Sequence, residues 1–174
     1  LIGAFFMLLA ILIFIKFTIG FKSMFEQGLN LEAAPSIWIV IPILTLLGIT
    51  FIRISFGLEH HFSAPLAKSS LFVLTSVVLS LQIIFGVLGY MIMKKMDYFT
   101  KYIESTNKSA ISFALICPGV AFMVFGMFFI NYGLAYNNII DKYSIAYFIF
   151  MLPFIYIQMK TIIYFFKLYK KFGL

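Results

Sequence analysis

Residues 69–93 read SSLFVLTSVVLSLQIIFGVLGYMIM, an apolar run without a single charged side chain. Crossing the ~30 Å hydrocarbon core of a bilayer takes roughly 20 apolar residues in an α-helix, because lipid cannot satisfy free backbone groups. This run meets that length. We therefore predict that it is a transmembrane helix.

Four other stretches are equally long and apolar, and none of the five contains Asp or Glu. The composition agrees, since 63% hydrophobic and 20% aromatic residues exclude a soluble globular domain. We predict an all-α, polytopic membrane helical bundle that forms a single transmembrane domain over 1–174. Its five predicted helices cover about 1–22, 36–57, 69–94, 110–134 and 143–167.

The lysines indicate how these helices are oriented. Most of them fall in the 94–109 connection and in the tail after 166, which lie on one side of the membrane if successive helices alternate in direction. The positive-inside rule then predicts that this side and the C-terminus are cytoplasmic. The longer connections on this side divide the chain into a single helix and two hairpins, 36–95 and 110–166.

The chain begins directly in an apolar stretch, without an initiator Met or a signal-peptide pattern. We expect it to be the C-terminal portion of a longer membrane protein, unless segments have been closed up in the numbering. In the first case, further membrane helices precede residue 1.

Each hairpin opens with a helix that meets a proline within its first turns, Pro42 and Pro118. Proline removes an N–H, and this frees the carbonyls of Trp38 and Ala114. Because lipid cannot satisfy them, such helices tend to face other protein or a water-filled cavity. The alternative is a plain kink, absorbed by neighbouring helices.

We single out three cations and one amide among the polar residues inside the predicted helices. For Arg53 we weigh snorkelling or pairing with Glu59 against a position that faces an anion route. Lys16 and Lys160 are expected to be snorkelling anchors near the inner helix ends. Gln82 is expected to donate an interhelical hydrogen bond, with ligand binding as the less favoured alternative.

No arrangement of catalytic residues is visible, so we predict that the protein is not an enzyme and carries no cofactor or metal. His60 and His61 are adjacent, and neighbouring side chains on a helix point about 100° apart, which is unsuited to clamping one ion or haem. Cys117 is expected to be a small buried apolar side chain. Its thiol chemistry is the weaker alternative.

Glycines recur every seventh residue in the fourth predicted helix, at Gly119, Gly126 and Gly133. Small residues let another backbone approach closely, so this stripe predicts helix packing. A glycine-lined pore wall is the second interpretation. Gly86 and Gly89 are interpreted in the same way, with packing favoured.

Two segments resemble a known family. APSIWIVIP (34–42) and FALICPGVA (113–121) are similar to the seventh and ninth helices of the tellurite-resistance and dicarboxylate transporter family, which includes the bacterial tellurite-resistance channel and the plant slow anion channels. The resemblance implies ten helices in five hairpins around a pore lined by kinked helices, of which this chain supplies helices six to ten. It also implies a homo-oligomer, a trimer, in a bacterial cytoplasmic (inner) membrane.

The family closes its pore with a phenylalanine, and the matching position here is Cys117. Three explanations stay open: Phe113 or Phe122 substitutes, the pore is wider, or the thiol serves another purpose. The pore-lining or gate candidates are Pro42, Phe113, Cys117, Pro118 and Phe122.

The favoured hypothesis is a channel or transporter for small anions, such as an inorganic anion, an oxyanion or a dicarboxylate, with Arg53 as the anion-facing candidate. The absence of carboxylates from the predicted helices fits this hypothesis. The expected partners are the bilayer, the anion and further copies of the chain; nucleic acid is not expected, although the net charge is +7. The alternative is a non-catalytic membrane subunit that anchors or assembles a larger complex, for example a redox complex.

Overall fold

The computed structural model describes residues 31–63 and 67–173, together with scattered positions from 4 to 22. Where they are described, those scattered positions are helical. The helix expected at 1–22 is thus covered only in part, and Lys16 lies outside the described residues.

Four long helices make up the described chain: α1 (Val40–Phe62), α2 (Lys68–Lys95), α3 (Ile116–Phe128) and α4 (Ile145–Phe172). Two 3-10 segments, Leu31–Ile39 and Ala110–Leu115, run directly into α1 and α3. A π-helical segment, Phe129–Ala135, continues α3. Residues 31–63 and 67–173 contain no strand, which confirms the all-α prediction for this part of the chain.

With these extensions, four helical stretches are long and apolar enough to cross a membrane. They are Ala34–Phe62, Lys68–Lys95, Ala110–Ala135 and Ile145–Phe172. They coincide with four of the five predicted helices, as expected of a multi-pass membrane protein. Most of the large side chains exposed along them are apolar, which suits contact with lipid rather than water.

Pro42 and Pro118 occupy equivalent places in α1 and α3. Each is the third residue of its α-helix, directly after a 3-10 segment. A proline has no N–H to donate, so the regular α-helical hydrogen bonds cannot continue unbroken toward the N-terminus. The chain continues there with the tighter 3-10 winding. The predicted kinks therefore take the form of a change in winding.

The ends of α4 follow from local capping. Ser144 caps its start, because the Ser144 hydroxyl accepts a hydrogen bond from the Tyr147 backbone N–H at 3.2 Å. Gly173 ends the helix with a φ of 74°, a left-handed conformation that glycine adopts without strain. The helix thus runs past the predicted end at 167.

Helix α3 is packed closely against α4 through glycine. A Cβ at Gly126 would overlap the Phe154 ring, and one at Gly119 would overlap Thr161. Gly133, in the π-helical segment, lies against Thr75 of α2. These contacts confirm the packing interpretation of the glycine stripe.

One end of the bundle, which we call the basic end, comprises residues 31–36, 94–112 and 166–173. The 94–109 connection, one of the longer connections expected on this side, winds in part into a π-helical segment, Phe99–Glu104, and buries Tyr98 and Ile103. The Tyr98 hydroxyl lies 2.9 Å from the Ser112 hydroxyl, and burial raises the pKa of Tyr98 above 10.0. The basic end therefore has a packed core of its own.

Candidate ligand-binding cavity

A cavity of about 520 Å³ lies between the four helices, from the middle of α2 toward the basic end. Cavities of this size fall within the roughly 300–1,000 Å³ range of small-molecule sites. Its wall is contributed by all four helices, the Leu31–Ile39 and Ala110–Leu115 segments and Phe99. Aromatic side chains dominate this wall: Trp38, Tyr90, Phe99, Phe122, Tyr156 and Tyr164.

Gln82, halfway along α2, is the fully buried polar residue of the wall. Its amide Nε2 donates to the Thr45 hydroxyl at 2.7 Å and lies 3.4 Å from the Ile41 carbonyl, both in α1. The Thr45 hydroxyl in turn lies 3.2 Å from the Ala121 carbonyl of α3. This network joins three helices and confirms the interhelical hydrogen bond expected of Gln82.

The carbonyl oxygen of the same amide has no hydrogen-bond partner in the described part of the chain. Gln82 Oε1 is buried, and no described residue donates a hydrogen bond to it. Rotating the amide would put the carbonyl oxygen beside the Thr45 hydroxyl and the Ile41 carbonyl and the nitrogen at the unpartnered position, so one end of the amide lacks a partner in either orientation. An unsatisfied buried acceptor costs about 1–3 kcal/mol, and Oε1 is buried behind the cavity surface rather than exposed to it.

Among the described lining residues, Lys160 alone is charged. Its ammonium nitrogen lies 5.6 Å from the centre of the Tyr156 ring, a cation–π distance. No Asp or Glu is among these lining residues. Lys160 was expected near the inner end of a helix that was predicted to end at about 167. Helix α4 continues to Phe172, so about 18 Å of helix, at 1.5 Å per residue, lie between Lys160 and the end of the helix.

Trp38, which belongs to the 3-10 segment Leu31–Ile39, is fixed against α2 by two contacts. Its indole N–H donates to the Gly86 carbonyl of α2 at 3.0 Å. A Cβ at Gly89 would overlap the same indole, so glycine is needed there for Trp38 to lie against α2. Opposite, the Phe122 ring packs on Phe154 with centroids 5.1 Å apart.

The cavity opens to the side of the bundle. Its exposed lining residues belong to two helices: Ile83, Val87 and Tyr90 on α2, and Tyr156, Ile157 and Lys160 on α4. The mouth therefore lies between α2 and α4. In a membrane protein, this position places the opening beside the lipid.

Two of the sequence candidates, Pro118 and Phe122, line the cavity. Pro42 is half-buried and is not part of the wall. The Phe113 ring packs on Phe172, with centroids 5.3 Å apart, at the basic end. Cys117 is exposed, so the expectation that it is buried is wrong.

Arg53 is exposed on α1 and is not part of the cavity wall. The expected ion pair with Glu59 is not formed among the described residues. The two side chains are six positions apart, which puts them on different faces of a helix. A separate pocket of about 310 Å³ lies beyond the middle of the bundle, lined by Asn131, Tyr136 and Lys142 among others.

His60 and His61 are exposed, with ring centroids 5.1 Å apart. Within the part of the chain that the structure describes, no group of three His, Cys, Asp or Glu residues is placed to hold a metal ion.

Sequence reasoning missed two features of the cavity. The presence of Lys160 in the wall depends on how α4 lies against α2 and α3, for which no sequence signal exists. The unpartnered carbonyl of Gln82 could be suspected, because a glutamine in an apolar helix has more hydrogen-bonding groups than one neighbour can satisfy.

Comparison with known proteins found no matching family model, no matching curated protein and no matching solved structure. The likeness of 34–42 and 113–121 to the tellurite-resistance and dicarboxylate transporter family therefore stays a prediction from those residues.

Proposed function

We propose that this protein is a membrane channel or transporter for small anions, and that the cavity between α1, α2, α3 and α4 is an anion-binding site on the route. The observation that carries the proposal is Lys160, an exposed cation at the side opening of a cavity whose described lining contains no carboxylate.

Electrostatics supports an anion as the ligand. The Lys160 ammonium is exposed at the mouth of the cavity, and a carboxylate nearby would compete with an anion for it. The stretches 36–57, 69–94, 110–134 and 143–167 contain no Asp or Glu to do so. The attraction between opposite charges grows as the surrounding dielectric constant falls, so an anion beside Lys160 at this largely apolar mouth is attracted more strongly than in bulk water.

Phe122 is the gate candidate that this proposal retains. It lies in the cavity wall beside Pro118, whereas Phe113 packs at the basic end and Cys117 is exposed. An aromatic ring in the wall can narrow the route by a change of rotamer. Arg53 is not part of the wall, so Lys160 replaces it as the proposed anion-binding residue.

The proposal includes the membrane orientation, the type of membrane and the oligomeric state predicted from the sequence. A cytoplasmic C-terminus follows from the lysines at the basic end under the positive-inside rule. A bacterial inner membrane and a homo-oligomer rest on the family resemblance alone. The alternative of an assembly subunit relied on free glycine faces, and Gly119 and Gly126 are occupied by α4, so we do not favour it.

Anion flux tests the proposal. The full chain is reconstituted in liposomes, and efflux of chloride, nitrate and succinate is compared for wild type, Lys160→Gln and Lys167→Gln. Lys167 is the matched control, because it is an exposed lysine on α4 outside the cavity wall. We expect Lys160→Gln to reduce flux at least tenfold and Lys167→Gln to leave it within twofold. Equal flux in all three, or a reversal potential that follows cations, contradicts the proposal.

A further inference from the structure

We propose that the basic end binds the phosphate group of an anionic phospholipid, held by the ammonium groups of Lys108 and Lys171. The partner is a lipid of the surrounding bilayer. Neither lysine is part of the cavity wall, so this site is separate from the cavity. The inference goes beyond the proposed function and does not rest on it, because it needs only a multi-pass membrane protein with a charged end.

The fold brings Lys108 and Lys171 together from distant parts of the chain. The Lys171 ammonium donates to the Tyr102 carbonyl at 2.6 Å, which ties the last turn of α4 to the connection after α2. The Lys108 ammonium lies 5.8 Å from the centre of the ring of Phe172, the residue next to Lys171. The Phe113 ring packs on the same Phe172 ring. The two ammonium groups are close enough to repel each other.

This repulsion is not relieved by an ion pair. Neither lysine forms one with Asp or Glu in the described part of the chain. Glu32 lies nearby, and its carboxylate accepts a hydrogen bond at 2.8 Å from the hydroxyl of Ser109, the residue after Lys108. Over the whole basic end, seven lysines stand against three acids, Glu32, Asp97 and Glu104. Two neighbouring ammonium groups without carboxylate partners attract an anion, because its charge offsets their repulsion.

Ordinary helix electrostatics accounts for only one of the two lysines. A cation in the last turn of a helix is favoured by the helix dipole, and Lys171 is such a cation. Lys108 belongs to the connection before the Ala110–Leu115 segment, and its approach to the end of α4 adds a second like charge there. A bound anion accounts for both positions.

The position of the pair along α4 favours a lipid phosphate over a free one. Helix α4 has 28 residues and is about 42 Å long at 1.5 Å per residue, so its last turn extends beyond the ~30 Å hydrocarbon core. Tyr102, beside Lys171, is of a residue type enriched at membrane interfaces. Closer to the middle of the bundle, α4 exposes Ile162, Ile163 and Phe166. A phospholipid with its phosphate at the pair therefore has apolar side chains beside its acyl chains.

The charge of the pair selects among phospholipids. In phosphatidylcholine a quaternary ammonium group follows the phosphate, and the two lysines repel it. In phosphatidylglycerol the phosphate carries an uncharged glycerol. One basic residue near an anionic membrane surface contributes about 1 kcal/mol, which is roughly fivefold in affinity. Two such residues together predict a preference for phosphatidylglycerol of at least tenfold.

Two lipids that differ only in the headgroup test the inference. Dioleoyl phosphatidylglycerol and dioleoyl phosphatidylcholine are titrated separately onto the purified full chain in mild detergent, and bound lipid is counted by native mass spectrometry. We expect the first phosphatidylglycerol to bind wild type at least tenfold more tightly than the first phosphatidylcholine. Equal affinity of the two lipids for wild type overturns the inference.

Substitution of the pair locates the site. Lys108→Gln combined with Lys171→Gln should reduce the preference to less than twofold. Lys94→Gln combined with Lys101→Gln is the matched control, because it removes the same charge from exposed lysines at the same end, and it should keep the tenfold preference. Lys108→Arg combined with Lys171→Arg retains both charges and their donor groups, so it should keep the preference as well.

The remaining outcomes contradict the site. A preference that survives in the double glutamine variant of the pair, or that falls equally in the control, indicates a diffuse attraction to the basic end. Loss in the double arginine variant assigns the effect to packing around Phe172. Release of the lipid by millimolar inorganic phosphate, but not by sodium chloride of the same ionic strength, indicates a site for free phosphate. Each of these results overturns the inference and leaves the proposed role of Lys160 standing.

Discussion

The amide nitrogen of Gln82 and the hydroxyl of Thr45 are 2.7 Å apart, and this bond between α2 and α1 leaves the buried Gln82 carbonyl oxygen without a partner among the described residues. Thr45 also approaches the Ala121 carbonyl of α3. One short side chain thus connects three helices and orients the amide.

Thr45→Val is expected to lower the free energy of unfolding by about 1 kcal/mol, since interhelical hydrogen bonds in membranes contribute roughly 0.6–2 kcal/mol each. Thermal unfolding in mild detergent measures the difference. Thr50→Val, half-buried on the same helix, is the control and should change stability by less than about 0.5 kcal/mol. Equal effects of the two substitutions would show that the bond to Gln82 adds nothing.

Gly126→Ala should be strongly destabilising, by about 1–3 kcal/mol, because the added Cβ meets the buried Phe154 ring and the helices must move apart. Gly57→Ala is the matched control. A Cβ at Gly57 has open space around it, and alanine is the better helix former, so stability should be unchanged or slightly higher. The melting temperatures of both variants in detergent provide the comparison. A harmless Gly126→Ala is incompatible with the packing of α3 on α4 described above.

Tyr98→Phe should destabilise the basic end by about 1 kcal/mol at neutral pH, because the buried Ser112 hydroxyl loses its partner. The substitution should also change the response to alkali. Burial raises the pKa of Tyr98 above 10.0, so above pH 10 the unfolded chain releases a proton that the folded chain retains. This linkage lowers wild-type stability as the pH rises above 10.

Unfolding midpoints between pH 8 and 11 test this prediction. The difference between wild type and Tyr98→Phe should shrink as the pH rises above 10. A difference that is constant over this range would show that Tyr98 does not contribute to the pH dependence. Tyr143→Phe, at an exposed tyrosine, should leave the wild-type profile unchanged.

Cys117 and Phe122 should respond differently to thiol reagents. Alkylation of Cys117 with a membrane-permeant maleimide is expected to leave anion flux within twofold, because its side chain is exposed and outside the cavity wall. In a Cys117→Ser background, Phe122→Cys should be blocked by the same reagent and protected by a bound anion. Block of flux through Cys117 itself would instead place the route on the outer face of α3.

The helices could be predicted from the sequence because apolar length alone determines which segments cross a bilayer. The prediction 69–94 matches Lys68–Lys95 within one residue at each end. At other helix ends, polar residues led to predicted ends that lie too early in the chain. Glu59, His60 and His61 continue α1 to Phe62, and α4 continues through Lys170 and Lys171, because charged side chains do not end a helix.

The site was only partly accessible from sequence. The proline at 118 indicated that α3 contributes to the site, and Pro118 and Phe122 do line the cavity. Cys117, one residue before Pro118, points elsewhere, because neighbouring positions on a helix are about 100° apart. Which face of α4 meets the other helices is decided by the glycine contacts across the bundle, and these brought Lys160 to the cavity.

The most direct measurement of the central claim is the position of a heavy anion in the protein. Crystals of the full chain grown in iodide, with anomalous data collected for wild type and Lys160→Gln, would locate bound anions without any transport assay. We predict an iodide in the cavity beside Lys160 Nζ in wild type and its loss in Lys160→Gln, with sites elsewhere unchanged. A cavity without iodide in wild type, or one filled by a lipid acyl chain, would contradict the account.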